Sequence, residues 1–573
     1  MRIAFVVLLL ALTSCSSYNQ PAATPESGFS DFVDNYFKAS FEYSPTFATS
    51  TGYHAYDNKL DDLSAASVSK RITKLKEFEK QLAGFSSLKG NESIDAEFLQ
   101  SQISAELNEL ETLQTWKKNP MGYVSLAGSA VDGLMKRNFA PAKDRLNAVT
   151  ARLALIPATF VSLRENVSNP PREFTDLAIH IAQGSAGFFE KEVAAWAVTA
   201  AEGDQTALAS FNTANAKVVS EIKNTANWLK TDLKPASKGS YAIGAEAFSK
   251  KLLYEEMVDI PLAKLLVIGQ ENLEKDYRDF VETAHKVNNL KGPAAVMASL
   301  SDDHPSAERL IPATRQTLAG IRKFLIDHKI ITLPNENMPL VQETPPYARN
   351  GSFASMDSPG AFENRAEESF YYVTPPEKEW DNKHADEHLR LFNRPVMDII
   401  TIHEAFPGHF VQFLYSKQYP SKTRKLLSAS SNSEGWAHYS EQMMIEEGFS
   451  GGDPKLKLAQ LSEALLRDCR YIAGIKMHTE GMSVEQAAKL FVEKGFQEKA
   501  NAYEEARRGA YNPTYLYYTL GKLQIYKLRQ DYQRTKGPEY SLPNFHDEFI
   551  KIGPLPLKLV RKILLPLDRT PTL

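Results

Sequence analysis

Cysteine is almost missing from this chain: 573 residues hold two, Cys15 and Cys469. No disulfide framework can be built from so few, so an exported fold must rest on its apolar core or on a metal. An excess of one charge is missing too. Lys and Arg number 66 against 70 Asp and Glu, a formal net charge of −4. No basic field marks a nucleic-acid partner. Long apolar runs are absent apart from Ile3–Leu12, ten residues after Arg2, and that run is too short to span a bilayer. No internal repeat recurs, and strand-like alternation is scarce over the first half. What is present is a 43% hydrophobic content, enough for sizeable cores in two or more domains or one large helical assembly.

Ile3–Leu12 reads as a secretory signal. It ends in Leu12-Thr13-Ser14-Cys15, which resembles a bacterial lipoprotein box. Residues 1–14 are then the signal peptide, Cys15 is lipidated, and residues 15–27 form a tether; the alternative is ordinary cleavage with Cys15 incidental. Ser16 rather than an aspartate follows the cysteine, so sorting to the outer membrane, facing the periplasm, is expected by analogy. Cys469, in LLRDCRYIAG, reads as a buried, inert thiol on a helix.

The mature chain reads as mostly α. Phe29, Phe32, Val33, Tyr36 and Phe37 share one helical face, and Ser44-Pro45 breaks the pattern. Amphipathic runs fill 64–116, 142–166, 172–202 and 205–231, then 245–289 and 305–328. A composition change at KPASKGSYAIG sets a soft boundary, with an N-terminal helical region over 28–235 and a C-terminal catalytic region over 236–573. Residues 330–376 turn Pro-rich and extended, the place for a small β element. Around Arg349–Ser355, an edge strand there can pair with a peptide backbone.

Two motifs are decoys. Gly448–Gly452 matches G-x-S-x-G, but the segment before it is helical rather than a strand, so Gly448 reads as a helix end and Asp453-Pro454 as the next helix start. His384–His388 matches the inverted zinc motif H-x-x-E-H, yet its surroundings are polar on every side, as on a solvated helix.

The third motif is HEAFPGH, residues 403–409. Zinc-peptidase helices place two histidines four apart, within about 40° of one direction. His403 and His409 are six apart, which leaves them about 120° apart on a regular helix. Pro407 removes an N–H and Gly408 tolerates unusual backbone angles, so a break at 405–408 is expected to bring His409 back beside His403. Met397–Ile402 and Phe410-Val411 are apolar flanks interrupted by Asp398, and buried polar ligands there need partners. A third ligand is sought downstream, where Glu434, His438 and Glu441 share a helical face 25 or more residues past His409. Glu434 suits a His-His-Glu zinc site, with Glu441 the alternative but favoured, with His438 and Asp398, as a supporting group.

Taken with SPTFATSTGYHAYDNKLDDLS, HEAFPGHFVQ, SEGWAHYSEQM, EEARRGAYNPTYLYYTLGK and FHDEFIKIGPLPL, the chain resembles the bacterial "domain of unknown function 885" proteins, a group similar to gluzincin-type zinc metallopeptidases. The resemblance spans most of the mature chain. It implies a large helical assembly with a deep cleft, one Zn²⁺ held by His403, His409 and Glu434, and Glu404 as general base. By wider analogy, dipeptidyl peptidase III stretches its zinc helix by one residue, and angiotensin-converting enzyme carries a ligand glutamate on a following helix. Arg508, Tyr511, Tyr515 and Tyr518 share a stripe by spacing, and Tyr511 and Tyr515, with Arg508, are the expected transition-state donors and substrate contacts. The activity expected is cleavage of short peptides by a lipid-anchored zinc peptidase. A zinc amidase acting on cell-wall fragments and a non-catalytic binding lipoprotein are the competing readings.

Overall fold

The computed structural model describes residues 28–345, 353–377, 380–568 and 570–573. The signal peptide, Cys15, the tether and Arg349–Ser352 lie outside the described residues.

The first helix, Phe29–Tyr43, buries Phe29, Phe32, Val33, Tyr36 and Phe37 as the periodicity requires. It stops at Ser44, and Pro45 opens the next helix because its missing N–H costs nothing in a first turn. Ala65–Leu82, Gly90–Leu107, Ala142–Asn166, Arg172–Phe188 and Gln205–Trp228 follow. Met121–Lys136 is a further helix that its glycines and serines concealed. Ala142–Asn166 is long and apolar enough to cross a membrane by length and composition, but Leu146, Val149, Leu153, Ile156 and Phe160 are fully engaged in the core.

One apolar cluster joins helices on both sides of residue 235, from Met121 through Leu233 to Tyr515. A second gathers Ile399, Ile402, Phe410, Trp436, Tyr439 and Phe549. Helix Pro454–Thr479, buried along most of its length, contributes to both and carries the buried Cys469. The helix that leads into HEAFPGH lies against it.

The β element is a three-stranded sheet of β1 (Leu340–Glu343), β2 (Ala354–Asp357) and β3 (Phe370–Val373), in the order β1-β3-β2. β1 runs parallel to β3 and β2 antiparallel, with Val341 and Met356 both opposite Tyr371. Tyr371 shares a hydrogen bond with Thr401 at 3.1 Å, which fixes the sheet against the helix that carries His403. β2 is thus an edge strand beside that helix.

Both decoys behave as local structure. Gly448 takes φ 91° just past helix Ser430–Glu446, and Asp453 caps the helix opened by Pro454. His384 stacks on Trp380, and His388 bonds the Thr374 carbonyl at 2.8 Å.

Candidate metal centre

Helix Arg394–Glu404 ends on the Glu404 of HEAFPGH, and a new helix starts at His409. Between them Ala405 leaves helical geometry, the Phe406-Pro407 bond is cis, and Gly408 bonds back from its N–H to the Ile402 carbonyl at 3.1 Å. The break at 405–408 is therefore real. Glycine is required at 408 by space: a Cβ there would stand 1.8 Å from the His403 carbonyl oxygen. Trp436 holds the turn from the other side, donating its indole N–H to the Pro407 carbonyl at 2.8 Å.

The turn sets the two imidazole rings 4.9 Å apart at 88°. Helix Ser430–Glu446 brings Glu434 to them. Its Oε2 lies 3.4 Å from His403 Nε2 and 3.3 Å from His409 Nε2. One atom from each of His403, His409 and Glu434 falls within 4.8 Å of the others, close enough to share a metal ion. Each imidazole is oriented from its far nitrogen: His403 Nδ1–H donates to Glu441 at 2.7 Å and His409 Nδ1–H to Gln412 at 3.3 Å. Both Nε2 atoms thus face Glu434, whose Oε2 is buried without a hydrogen-bond partner of good geometry. Two inward nitrogens and an orphaned carboxylate oxygen are what a tetrahedral zinc site with one open position presents.

Electrostatics agree. Burial acts to raise the Glu434 carboxyl, yet the two imidazoles hold it well below the carboxylate range. Burial acts to lower His403, yet Glu434 and Glu441 push it up to about 9, so cation binding there displaces a proton. Glu441 is fully buried and is braced by Arg467 at 3.0 Å and His438 at 3.1 Å. His438 is pushed down to about 3 by burial and by Lys522, which keeps it neutral. Glu404 is raised, first by burial and then by Glu434, and the N–H of Met356 on β2 bonds it.

The model of one family, described as "Bacterial protein of unknown function (DUF885)", matches residues 45–564. The chain belongs to the DUF885 family. It is also similar over its whole fold to two solved structures. A protein from Shewanella oneidensis, described as a candidate lipoprotein of unknown function, is 28% identical with a TM-score of 0.78, covering 94% of this chain and 99% of that one. A candidate lipoprotein from Colwellia psychrerythraea is 15% identical with a TM-score of 0.79, covering 94% and 98%. No curated protein matches the chain.

The DUF885 stretches outside the ligands serve as supports. In FHDEFIKIGPLPL, His546 shares a hydrogen bond with Tyr439 at 2.8 Å, and Phe549 stacks on Trp436, the clamp on Pro407. Pro554 and Leu555 carbonyls accept from Ala429 N–H and Asn432, fixing the start of the Glu434 helix. That helix meets helix Tyr517–Lys536 at Gly435 and Gly521, where a Cβ on Gly521 would stand 1.9 Å from the Ser431 carbonyl. Only glycine at that crossing lets the two backbones come so close.

The aromatic stripe is rearranged. Helix Lys499–Tyr511 ends, Asn512–Leu516 turns around Pro513, and the next helix begins at Tyr517, so the four residues share no continuous face. Tyr515 is fully buried against Gly474 and Gly509, away from the ligands. Tyr511 is 37% exposed and lines a separate cavity wall. Tyr518 is the tyrosine at the site: its ring lies 6.5 Å from the His403 ring, and Arg508 donates to its hydroxyl at 3.1 Å. Arg467, Arg470 and Arg508 all lie over its ring, within 5.3–6.0 Å. Burial, with Glu434 behind it, raises the Tyr518 phenol, which stays a proton donor. Asp398 also differs from expectation. It faces Thr317 and Arg394 rather than the imidazoles, and burial raises it to about 6. On a regular helix, Asp398 is five residues from His403, about 140° around the axis. Gln412 and Arg467 carry no signal of their own in the sequence, and nothing in the stripe singles out Tyr518 from its neighbours.

Proposed function

We propose that this protein is a zinc-dependent hydrolase that cleaves peptide bonds of short peptides. The observation that carries the reading is the convergence of His403 Nε2, His409 Nε2 and an unsatisfied Glu434 Oε2, with Glu404 adjoining them. Zinc bound to these three would supply Lewis-acid polarisation and an acidified water. Glu404, with its raised pKa, takes a proton from the attacking water and delivers it to the departing amine nitrogen. Tyr518, held by Arg508, donates its hydroxyl to the carbonyl oxygen as that oxygen gains charge. Glu441 and Gln412 keep both rings aimed inward. The open edge of β2, whose Met356 N–H already meets Glu404, offers backbone groups to an extended peptide.

Cys15 and the lipoprotein descriptions of the two solved relatives support an exported, lipid-anchored protein, which we place on the outer membrane facing the periplasm. Metal analysis and a peptide-library assay test the activity together. One zinc per chain and peptide cleavage abolished by Glu404→Gln are expected. A chain purified without chelator that holds no zinc, and whose Glu404→Gln form behaves as the parent, overturns the reading. Fractionation of Cys15→Ala cells, with the protein leaving the membrane, tests the anchor.

A further inference from the structure

A cavity of about 660 Å³ opens between the N-terminal helices and the half that carries the metal ligands. It borders the centre closely. Ser430 lines it and begins the helix that presents Glu434 one turn later, about 6 Å along the axis. Tyr517 lines it too, with its ring 4.9 Å from that of Tyr518.

The charge of the wall is unbalanced. Glu106, Glu109, Glu255 and Glu256 face two cations, Arg71 and Lys251. Arg71 is taken by Glu106 through two bonds of 2.7 Å, and Lys251 by Glu255 at 2.5 Å. Glu109 is left with the far side of Lys251 at 3.5 Å. Glu256, 4% exposed, accepts the N–H groups of Ser430 and Ser431 at 3.0 Å each and has no cationic partner among the described residues. Burial pushes it up to about 7, against those hydrogen bonds. A buried acid without a counter-charge, on the wall of a large cavity, is stabilised by a cation arriving from outside. Arg71 is itself 5% exposed, and its Nη1 is a buried N–H without an acceptor. Arg71 already lies over the rings of Tyr36 and Tyr43 at 5.9 and 5.2 Å, so the wall holds one organic cation against aromatic rings, and the 37% exposed Tyr511 adds a further aromatic surface for another.

We propose that this cavity is a substrate subsite for a positively charged group of a peptide, either its amino terminus or a lysine or arginine side chain. The proposal rests on the peptidase reading above. The probes are a lysine-containing alanine pentapeptide, its norleucine counterpart, and N-acetyl forms of both. They are compared by kcat/KM on the zinc-loaded chain and by equilibrium binding to the zinc-loaded Glu404→Gln chain. The charged probe is expected to be favoured about tenfold, the weight of one charge-assisted hydrogen bond. Glu256→Gln and Glu109→Lys each bring that ratio toward one. Loss on acetylation assigns the amino terminus, and loss with norleucine assigns the side chain. Equal values for all four peptides, or a preference that survives both substitutions, overturn the subsite. Peptides that bind with the charge preference but are never cleaved sink the peptidase reading instead; cleavage without preference sinks only the subsite.

Discussion

Glu441 shows the residue scale most clearly. It has no exposed surface, yet its carboxylate is held far below its ordinary pKa because Arg467, His438 and His403 together outweigh burial. Its work is indirect: it fixes the ring of His403 and, on the proposed reading, would raise that ring's basicity toward a metal. Glu441→Gln is expected to lower zinc affinity about 10- to 100-fold, measured by chelator competition. Unchanged affinity would show that the ring is held by packing alone. Tyr518 stands 6.5 Å from the His403 ring and is the proposed transition-state donor. Tyr518→Phe removes only the hydroxyl, so kcat should fall about 100- to 1,000-fold with KM nearly constant. An equal loss through KM would make Tyr518 a substrate contact rather than a transition-state donor.

At the scale of elements, the site depends on a helix that stops and restarts. The six-residue spacing is incompatible with one straight helix, and the turn at 405–408 supplies the missing rotation. Gly408 has no room for a side chain there. Gly408→Ala is expected to cost on the order of 3 kcal/mol of stability and to abolish zinc binding. Calorimetry and metal analysis on the same preparation check this, and a stable, zinc-loaded variant would contradict it. The Gly435–Gly521 crossing is the second such device, because it sets the distance between the Glu434 helix and the Tyr518 helix.

At the scale of the whole molecule, the N-terminal half grips the sheet that borders the site. Arg137 bonds Asp357 at the end of β2 at 2.7 Å, and Thr51 accepts the Phe362 N–H at 3.1 Å. His54 bridges Asp57 and Glu363 at 2.9 and 2.8 Å. Burial acts against charge on His54, but the two carboxylates outweigh it and raise its pKa. The stabilisation is therefore complete below the unfolded pKa of about 6.5 and is lost as pH rises through the higher folded value. The thermal midpoint of His54→Gln should fall below the parent at pH 6, by about 1 °C, with the gap closing as the pH is raised above 7. A gap that widens with pH would reverse the assignment. On the proposed reading, zinc would tie helices Arg394–Glu404, His409–Ser416 and Ser430–Glu446 together, so a chelator should lower the melting temperature of the parent and leave His403→Ala unaffected. Equal shifts in both would place the metal elsewhere.

Some of this was readable along the chain. Apolar periodicity identified helices such as Phe29–Tyr43, because burial on one face repeats with the helical turn. HEAFPGH carried both histidines of the candidate centre and the reason its helix must break, since angle per residue and proline chemistry are local properties. Glu434 and Glu441 were legible through spacing on one helix. Only the tertiary structure could decide the rest. The stripe from Arg508 to Tyr518 fails as a single face because Pro513 splits it, and which tyrosine meets His403 depends on how two helices cross at glycine. Arg467 reaches Glu441 from helix Pro454–Thr479, which carries nothing recognisable as a metal motif. The acid-rich cavity exists only because helices from both ends of the chain meet there. Sequence determines what a segment does with its neighbours in the chain; contacts made across hundreds of residues follow from packing, and packing completes the site.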